Sequence, residues 1–126
     1  MASDDLIAWL GPAAAELTTD QLDLVVAAAA DIHRRYPDDD ELPEREAALF
    51  ATVQYLLGET TAEEAGRELI AARARERAAY VAAVQVAVLR HRHEHTPKAT
   101  AARESSIDRM SLLEALGERP QRRRRN

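Results

Sequence analysis

The sequence predicts an all-α protein: an N-terminal helical bundle, one long helix, a short helical pair near the carboxyl end and a flexible arginine-rich tail. Three observations lead there. Apolar residues recur at helical spacing along successive stretches, and each stretch opens on a capping residue or proline and closes on Gly or Pro. Alanine supplies much of the 46% apolar content, against one Phe, one Trp and three Tyr, so helices can approach closely without bulky side chains between them. The 126 residues allow one domain, or a small helical body carrying a very small module, and only a modest core whose burial a partner copy would complete.

The elements follow in order. Ser3 is placed to cap a short helix containing Leu6, Ile7, Trp9 and Leu10, which Gly11-Pro12 stops. Thr18 with Gln21 three residues later fits a capping box, and Asp20 and Asp23 suit the positive end of the helix dipole. Leu22, Val25, Val26, Ala29, Ala30 and Ile32 then form a stripe running to Tyr36, before Pro37. A charged loop, Asp38-DDELP, leads to Pro43 at a first helical position, and Ala47, Leu49, Phe50, Val53, Tyr55, Leu56 and Leu57 continue at helical spacing to Gly58. Thr60 with Glu63 repeats the capping-box pattern and opens a stretch free of proline until Pro97, long enough for a helix of roughly thirty residues, about 45 Å. Its first half interleaves alanine with charge. Its second half, Ala79 to Leu89, has one polar residue, and a helix apolar nearly all round must be covered nearly all round. The N-terminal helices are the expected cover on one side, with the C-terminal module or a second subunit on the other, so a homodimer through this helix is the structural expectation.

Charge is sorted along the chain. From Arg90 to Asn126 ten Arg and Lys face five acids, for a net +5, whereas residues 1–89 net −10. The overall −5 hides that asymmetry, and phosphate recognition depends on local field. No cysteine is present, which excludes disulfides, thiolate zinc sites and cysteine catalysis and suits the reducing cytoplasm. The acidic start, Met1-ASDD, and the lack of an apolar stretch of spanning length argue against a signal peptide and a membrane helix. Sixteen Arg against the single Lys98, with abundant Ala, is the codon bias of a GC-rich genome, that of a bacterium, its phage or its plasmid.

After His91-RHEH, Thr96-Pro97 reads as an N-cap followed by proline at the first helical position. In the segment that follows, Ala102 is small where a second helix would cross closely, Ser106 falls at the turn four residues later, Ile107 follows it, and Leu112, Ala115 and Leu116 occupy core spacings before Gly117. This segment, Thr100 to Leu116, resembles the helix-turn-helix of bacterial and phage repressors and of the three-helix DNA-binding modules of resolvases. It departs from that pattern at Ser106, where glycine is usual, and at Ser105, where a hydrophobic residue is commoner, so the two serines are also candidates for the N-cap of the second helix. The preceding helix would complete the core through Tyr80, Val84, Val88 and Leu89.

The resemblance implies a sequence-specific binder of double-stranded DNA, a transcriptional regulator, with the exposed start of the helix near 108–116 in the major groove. Arg109 is then the candidate for a bidentate contact to guanine, Ser111 for a base or phosphate, Met110 for a thymine methyl, and Asp108 for cytosine or, as an acid in the first turn, for the helix dipole. Lys98 and Arg103 would meet phosphates, as would the tail residues Arg119, Arg122, Arg123, Arg124 and Arg125, which lie along phosphates or in a narrow minor groove. The segment lacks the aromatics that stack unpaired bases, which disfavours RNA.

The parts are therefore read as an acidic body over 1–78, available for oligomerisation or a protein partner, the DNA-binding module over 79–117 and a basic tail over 118–126. His91, His93 and His95 carry no zinc signature and suit a titratable collar near DNA. His33 and Asp31 lie on opposite sides of one helix. With no nucleophile motif, phosphate loop or paired-carboxylate setting, neither an enzyme nor a cofactor is expected. The alternative to a regulator is a non-enzymatic helical assembly protein such as a phage DNA-packaging adaptor, a plasmid partition factor or an antitoxin, each of which joins a small basic module to an oligomerising helical region.

Overall fold

The computed structural model describes residues 3–120, and among these it contains only helices and connecting turns. In chain order they are α1 (Ser3–Leu10), α2 (Ala13–Glu16), α3 (Thr19–Arg35), a 3-10 turn (Asp39–Glu41), α4 (Leu42–Leu56), α5 (Ala62–Arg92), α6 (Lys98–Glu104) and α7 (Arg109–Ala115). The chain divides into two compact units, residues 1–66 and 67–126. None of the described helices is long and apolar enough to cross a membrane.

The first unit is organised by α3 and α4, which pack as an antiparallel pair. The capping box that opens α3 is present in full: Gln21 N donates to Thr18 Oγ1 at 3.1 Å, and Thr18 N donates to Gln21 Oε1 at 2.9 Å. Gln21 then spends its amide on the far end of α4, donating through Nε2 to the Leu56 carbonyl at 3.0 Å. At the other end of the pair, Arg45 Nη1 donates to the carbonyls of Tyr36 and Asp38 at 2.6 and 2.7 Å. These orphan carbonyls follow the last turn of α3, where backbone acceptors need an outside donor. Between the two clamps, Val25 and Ile32 of α3 meet Leu49 and Val53 of α4, and Leu6, Leu10 and Leu17 close the same core from the N-terminal side. Burying side chains of this size contributes about 1.5–3 kcal/mol each.

Three features of this unit differ from the expectation. A short α2 follows Gly11-Pro12, because Pro12 suits the start of a new helical turn once Gly11 has reversed the chain at φ +57°. Val26, Phe50 and Tyr55 are exposed, at 41, 57 and 63%, because the contact between two helices takes up a narrower arc than the whole apolar stripe. At the entry to α5 the cap is Thr61 rather than Thr60: Glu64 N donates to Thr61 Oγ1 at 3.1 Å, one residue on from the pair expected.

The expectation of one helix from the Thr60 region to the histidines holds, since α5 runs unbroken for 31 residues. In the second unit its last turns carry α6 and α7. Ala87 and Val88 of α5, Ala101 and Ala102 of α6 and Leu112 of α7 form one buried cluster, with Ile107 and Leu116 packed against it. Small side chains on two helices let the third insert a single large one: Leu112 is fully buried between alanines. Val88 was expected in this core and Ala87 was not, while Leu89 is 52% exposed and points away from it. Tyr80 contributes through its polar end, its hydroxyl lying 2.7 Å from Ser111 Oγ, and Arg77 stacks over its ring at 5.5 Å.

The α6–α7 connection is built on two unlike residues. Ser106 takes the left-handed conformation, φ +57°, and Ile107 N donates back to the Ala102 carbonyl at 3.0 Å, closing α6 in the manner usually supplied by glycine. The N-cap of α7 is Asp108, not the serine pair: its carboxylate accepts from Ser111 N at 2.7 Å. The serines end one helix and Asp108 starts the next.

Two stability changes follow. Leu112→Ala should lower the stability of the C-terminal unit by about 2–5 kcal/mol, since flanking alanines cannot collapse into the space left. Ser106→Gly should raise it by about 1 kcal/mol by relieving the left-handed strain of an L-residue. Urea unfolding followed by circular dichroism checks both. Equal midpoints for wild type and Leu112→Ala would show that this core does not hold the unit.

Candidate nucleic-acid interface

The unit boundary sharpens the charge sorting seen along the chain. Residues 1–66 hold three Arg against fifteen acids, for a net −12, and residues 67–126 hold fourteen Arg and Lys against seven acids, for a net +7. The basic unit is where an anionic polymer would be met.

Within that unit the candidate residues have distinct surroundings. Arg109 opens α7 as its first residue and is exposed. Arg103 is exposed in the last turn of α6. Ser111 is not presented to solvent: it is 5% exposed, paired with Tyr80 and donating its backbone N–H to Asp108, so it joins α7 to α5 instead of reaching outward. Asp108 is engaged as the N-cap of α7, a place expected for the serines, and so stands just outside the first turn. Met110 is 36% exposed and its sulfur accepts from Arg119 Nη1 at 3.3 Å, which folds Arg119 back onto α7. Arg122, Arg123, Arg124 and Arg125 lie outside the described residues.

Several cations of the unit are taken up internally. Lys98 Nζ donates to Glu118 at 2.6 Å, tying the start of α6 to the segment after α7. Arg90 bridges Glu94 and Glu104, its Nε lying 3.1 Å from Glu104, and so fastens the end of α5 to α6. Arg92 Nη2 donates to the Leu116 carbonyl at 3.2 Å, covering an orphan acceptor at the end of α7. These ties orient the three helices and give the Lys98 ammonium a partner within the unit.

The histidines serve the turn between α5 and α6. His91 Nδ1 donates to the Thr96 carbonyl at 2.8 Å, since a carbonyl can only accept. His95 takes a positive φ of 59°, which turns the chain into Thr96-Pro97. Among the described residues no group of three or more His, Asp or Glu is arranged to hold a metal ion.

In the first unit a groove of about 400 Å³ is lined by Trp9, Ile32, Leu42 and Leu49, with His33 and Glu46 at its edge. Arg45 also borders it, but its guanidinium is already engaged by the two backbone carbonyls. Asp31 pairs with Arg34, one turn along α3, and not with His33. Sequence reasoning missed the structural parts played by Tyr80 and Ser111, because their 31-residue separation leaves no local pattern to read. Comparison of the chain with protein-family models, curated proteins and solved structures finds no match.

The Lys98 tie has a pH signature. The hydrogen bond from Lys98 holds the Glu118 carboxyl below its ordinary pKa. A carboxyl depressed in the folded state stabilises the fold above its unfolded pKa, and that contribution is lost as pH falls through the folded one. Acid-unfolding curves of wild type and Glu118→Gln should therefore differ near neutrality and converge at low pH. A constant separation down to the acid limb would mean that the pair carries no linkage.

Proposed function

We propose that this chain is a non-enzymatic helical assembly protein that works against duplex DNA, gripping phosphates with its basic C-terminal unit and taking little information from base sequence. The observation that carries the reading is the coincidence of charge with architecture: the −12 and +7 halves meet at the boundary between the two compact units. A regulator built to read bases would keep its recognition side chains free at the start of α7. Here Ser111 is buried, Asp108 caps the helix and Met110 is joined to Arg119, which leaves Arg109 as the candidate reader and Arg103, exposed on α6, as a candidate for phosphate. Apolar surface left uncovered on α5, with Val81, Val86 and Leu89 at 51, 60 and 52% exposure, favours a protein that acts in several copies. Packaging adaptors and partition factors belong to this class.

The second reading is the sequence-specific regulator of helix-turn-helix type. The exposed Arg109 at the first position of α7 and the left-handed Ser106 between the two helices favour it.

Anisotropy titrations of the full chain on several unrelated duplexes over a range of salt separate the two. The assembly reading predicts near-equal affinities and a log–log salt slope that falls by about 0.9 for each phosphate contact removed, whether by Arg103→Ala, by Arg109→Ala or by deleting Arg122 to Arg125. The regulator reading predicts one duplex bound at least ~10³ tighter than the rest. It also predicts that Arg109→Ala erodes that preference by about 1–3 kcal/mol. No uptake of duplex in dilute buffer would end both.

A further inference from the structure

We infer that the groove of the first unit is a binding site for a small organic cation, an amine carried on an aromatic or branched apolar body. Such a site is independent of the DNA reading, since every residue that lines the groove belongs to the acidic unit. Three helices build it, each through one face. Asp5 and Trp9 are four residues apart on α1, Ile32 and His33 come from the last turn of α3, and Leu42, Glu46 and Leu49 follow at steps of four and three along α4. The volume of about 400 Å³ falls within the range of roughly 300–1,000 Å³ of small-ligand sites. The lining follows their pattern too, with apolar walls and a few polar groups at the edge. Ile32 and Leu49 are buried beneath it, while Trp9 and Leu42 keep 38 and 49% of their surface open for a ligand to cover.

The polar groups at the edge specify a cation. Asp5 and Glu46 border the groove from two different helices, and among the described residues neither has an ion-pair or hydrogen-bond partner. Each guanidinium of the unit, by contrast, is already engaged. Arg34 pairs with Asp31, Arg35 lies 6.0 Å from the centre of the Tyr36 ring, and Arg45 donates to the carbonyls of Tyr36 and Asp38. Arg45 is the arginine that lines the groove, and its charge is fixed at the head of the acidic run Asp38 to Glu41. Two carboxylates thus meet one committed guanidinium, inside a unit of net −12, and the edge is left negative. Trp9 adds an independent preference of the same sign, because the face of an indole attracts a cation more strongly than any other aromatic side chain. Among the described residues the stacked arginines lie over Tyr36 and Tyr80, which leaves the Trp9 indole to a ligand. His33 supplies an imidazole at the same edge, an acceptor for an ammonium hydrogen when neutral. An anion of equal size meets the carboxylates with repulsion, and an uncharged molecule gains only the apolar walls.

Trp9 is the one tryptophan of the chain, so the intrinsic fluorescence of the full protein reports from the groove itself. 2-Phenylethylamine should change that emission saturably, half-maximally below about 1 mM, with matching heat in titration calorimetry. The anion 3-phenylpropionate should bind at least about tenfold more weakly by both measurements. Asp5→Asn combined with Glu46→Gln should weaken the amine about fivefold, with the helical circular dichroism spectrum retained. Glu44→Gln, which removes an acid of α4 that does not line the groove, should leave the affinity unchanged. Equal binding of the amine and the propionate, a double variant as tight as wild type, or no heat with the amine would each overturn the inference. So would a response confined to a tetra-arginine peptide, which would assign the acidic surface to a basic polypeptide and leave the groove without a ligand.

Discussion

Burial of Leu112 among Ala87, Val88, Ala101 and Ala102 is the contact on which the C-terminal unit depends. Two helices of only seven residues, α6 and α7, are too short to be stable alone, so they exist as helices because they cover one side of α5. The alanines make that possible by letting backbones come close, and the one leucine fills the space they leave. Several polar ties join the helices around this contact: Tyr80 with Ser111, Arg90 with Glu94 and Glu104, Lys98 with Glu118, and Arg92 with the Leu116 carbonyl. A small core has been supplemented by directional ties across its edges, which set the angle between helices that apolar contact alone leaves loose.

The same ties bear on function. A basic segment counted along the chain suggests a surface of free cations, but Lys98 and Arg90 are matched with carboxylates and Arg92 is spent on a backbone carbonyl. Their positive charge still contributes to the net field of the unit, which acts over a Debye length of about 8–10 Å at moderate salt. Their donors, however, already have partners within the unit. The distinction separates long-range attraction to a polyanion, which net charge supplies, from close reading of bases, which needs side chains with nothing else to hold.

Much of the secondary structure was legible because its signals are local. The Thr18–Gln21 capping box, the stop of α1 at Gly11, the stop at Pro37 and the uninterrupted α5 each depend on residues within a few positions of one another. Where sequence reading slipped, the slip was of the same local kind: Thr61 caps α5 because it, and not Thr60, precedes the first helical residue, and Asp108 outcompetes Ser105 and Ser106 because its carboxylate reaches the third amide of α7. The positive φ of Ser106 follows from the requirement to leave α6 and enter α7 within a few residues, a demand of the turn that serine meets at a cost.

The sequence by itself determined the all-α class, the approximate extent of the longer helices, and the separation of acidic from basic residues, because each is a property of composition or of neighbours along the chain. The tertiary structure decided which side of each helix is inside. Phe50 and Leu89 are as apolar as Leu49 and Val88, yet they face water, because a helix packed against one partner offers it only part of its circumference. It likewise decided that Ser111 is buried while Arg109 is exposed, two residues apart on α7, since a step of two along a helix turns a side chain through about 200° and only the contact with α5 says which of the two directions is the core.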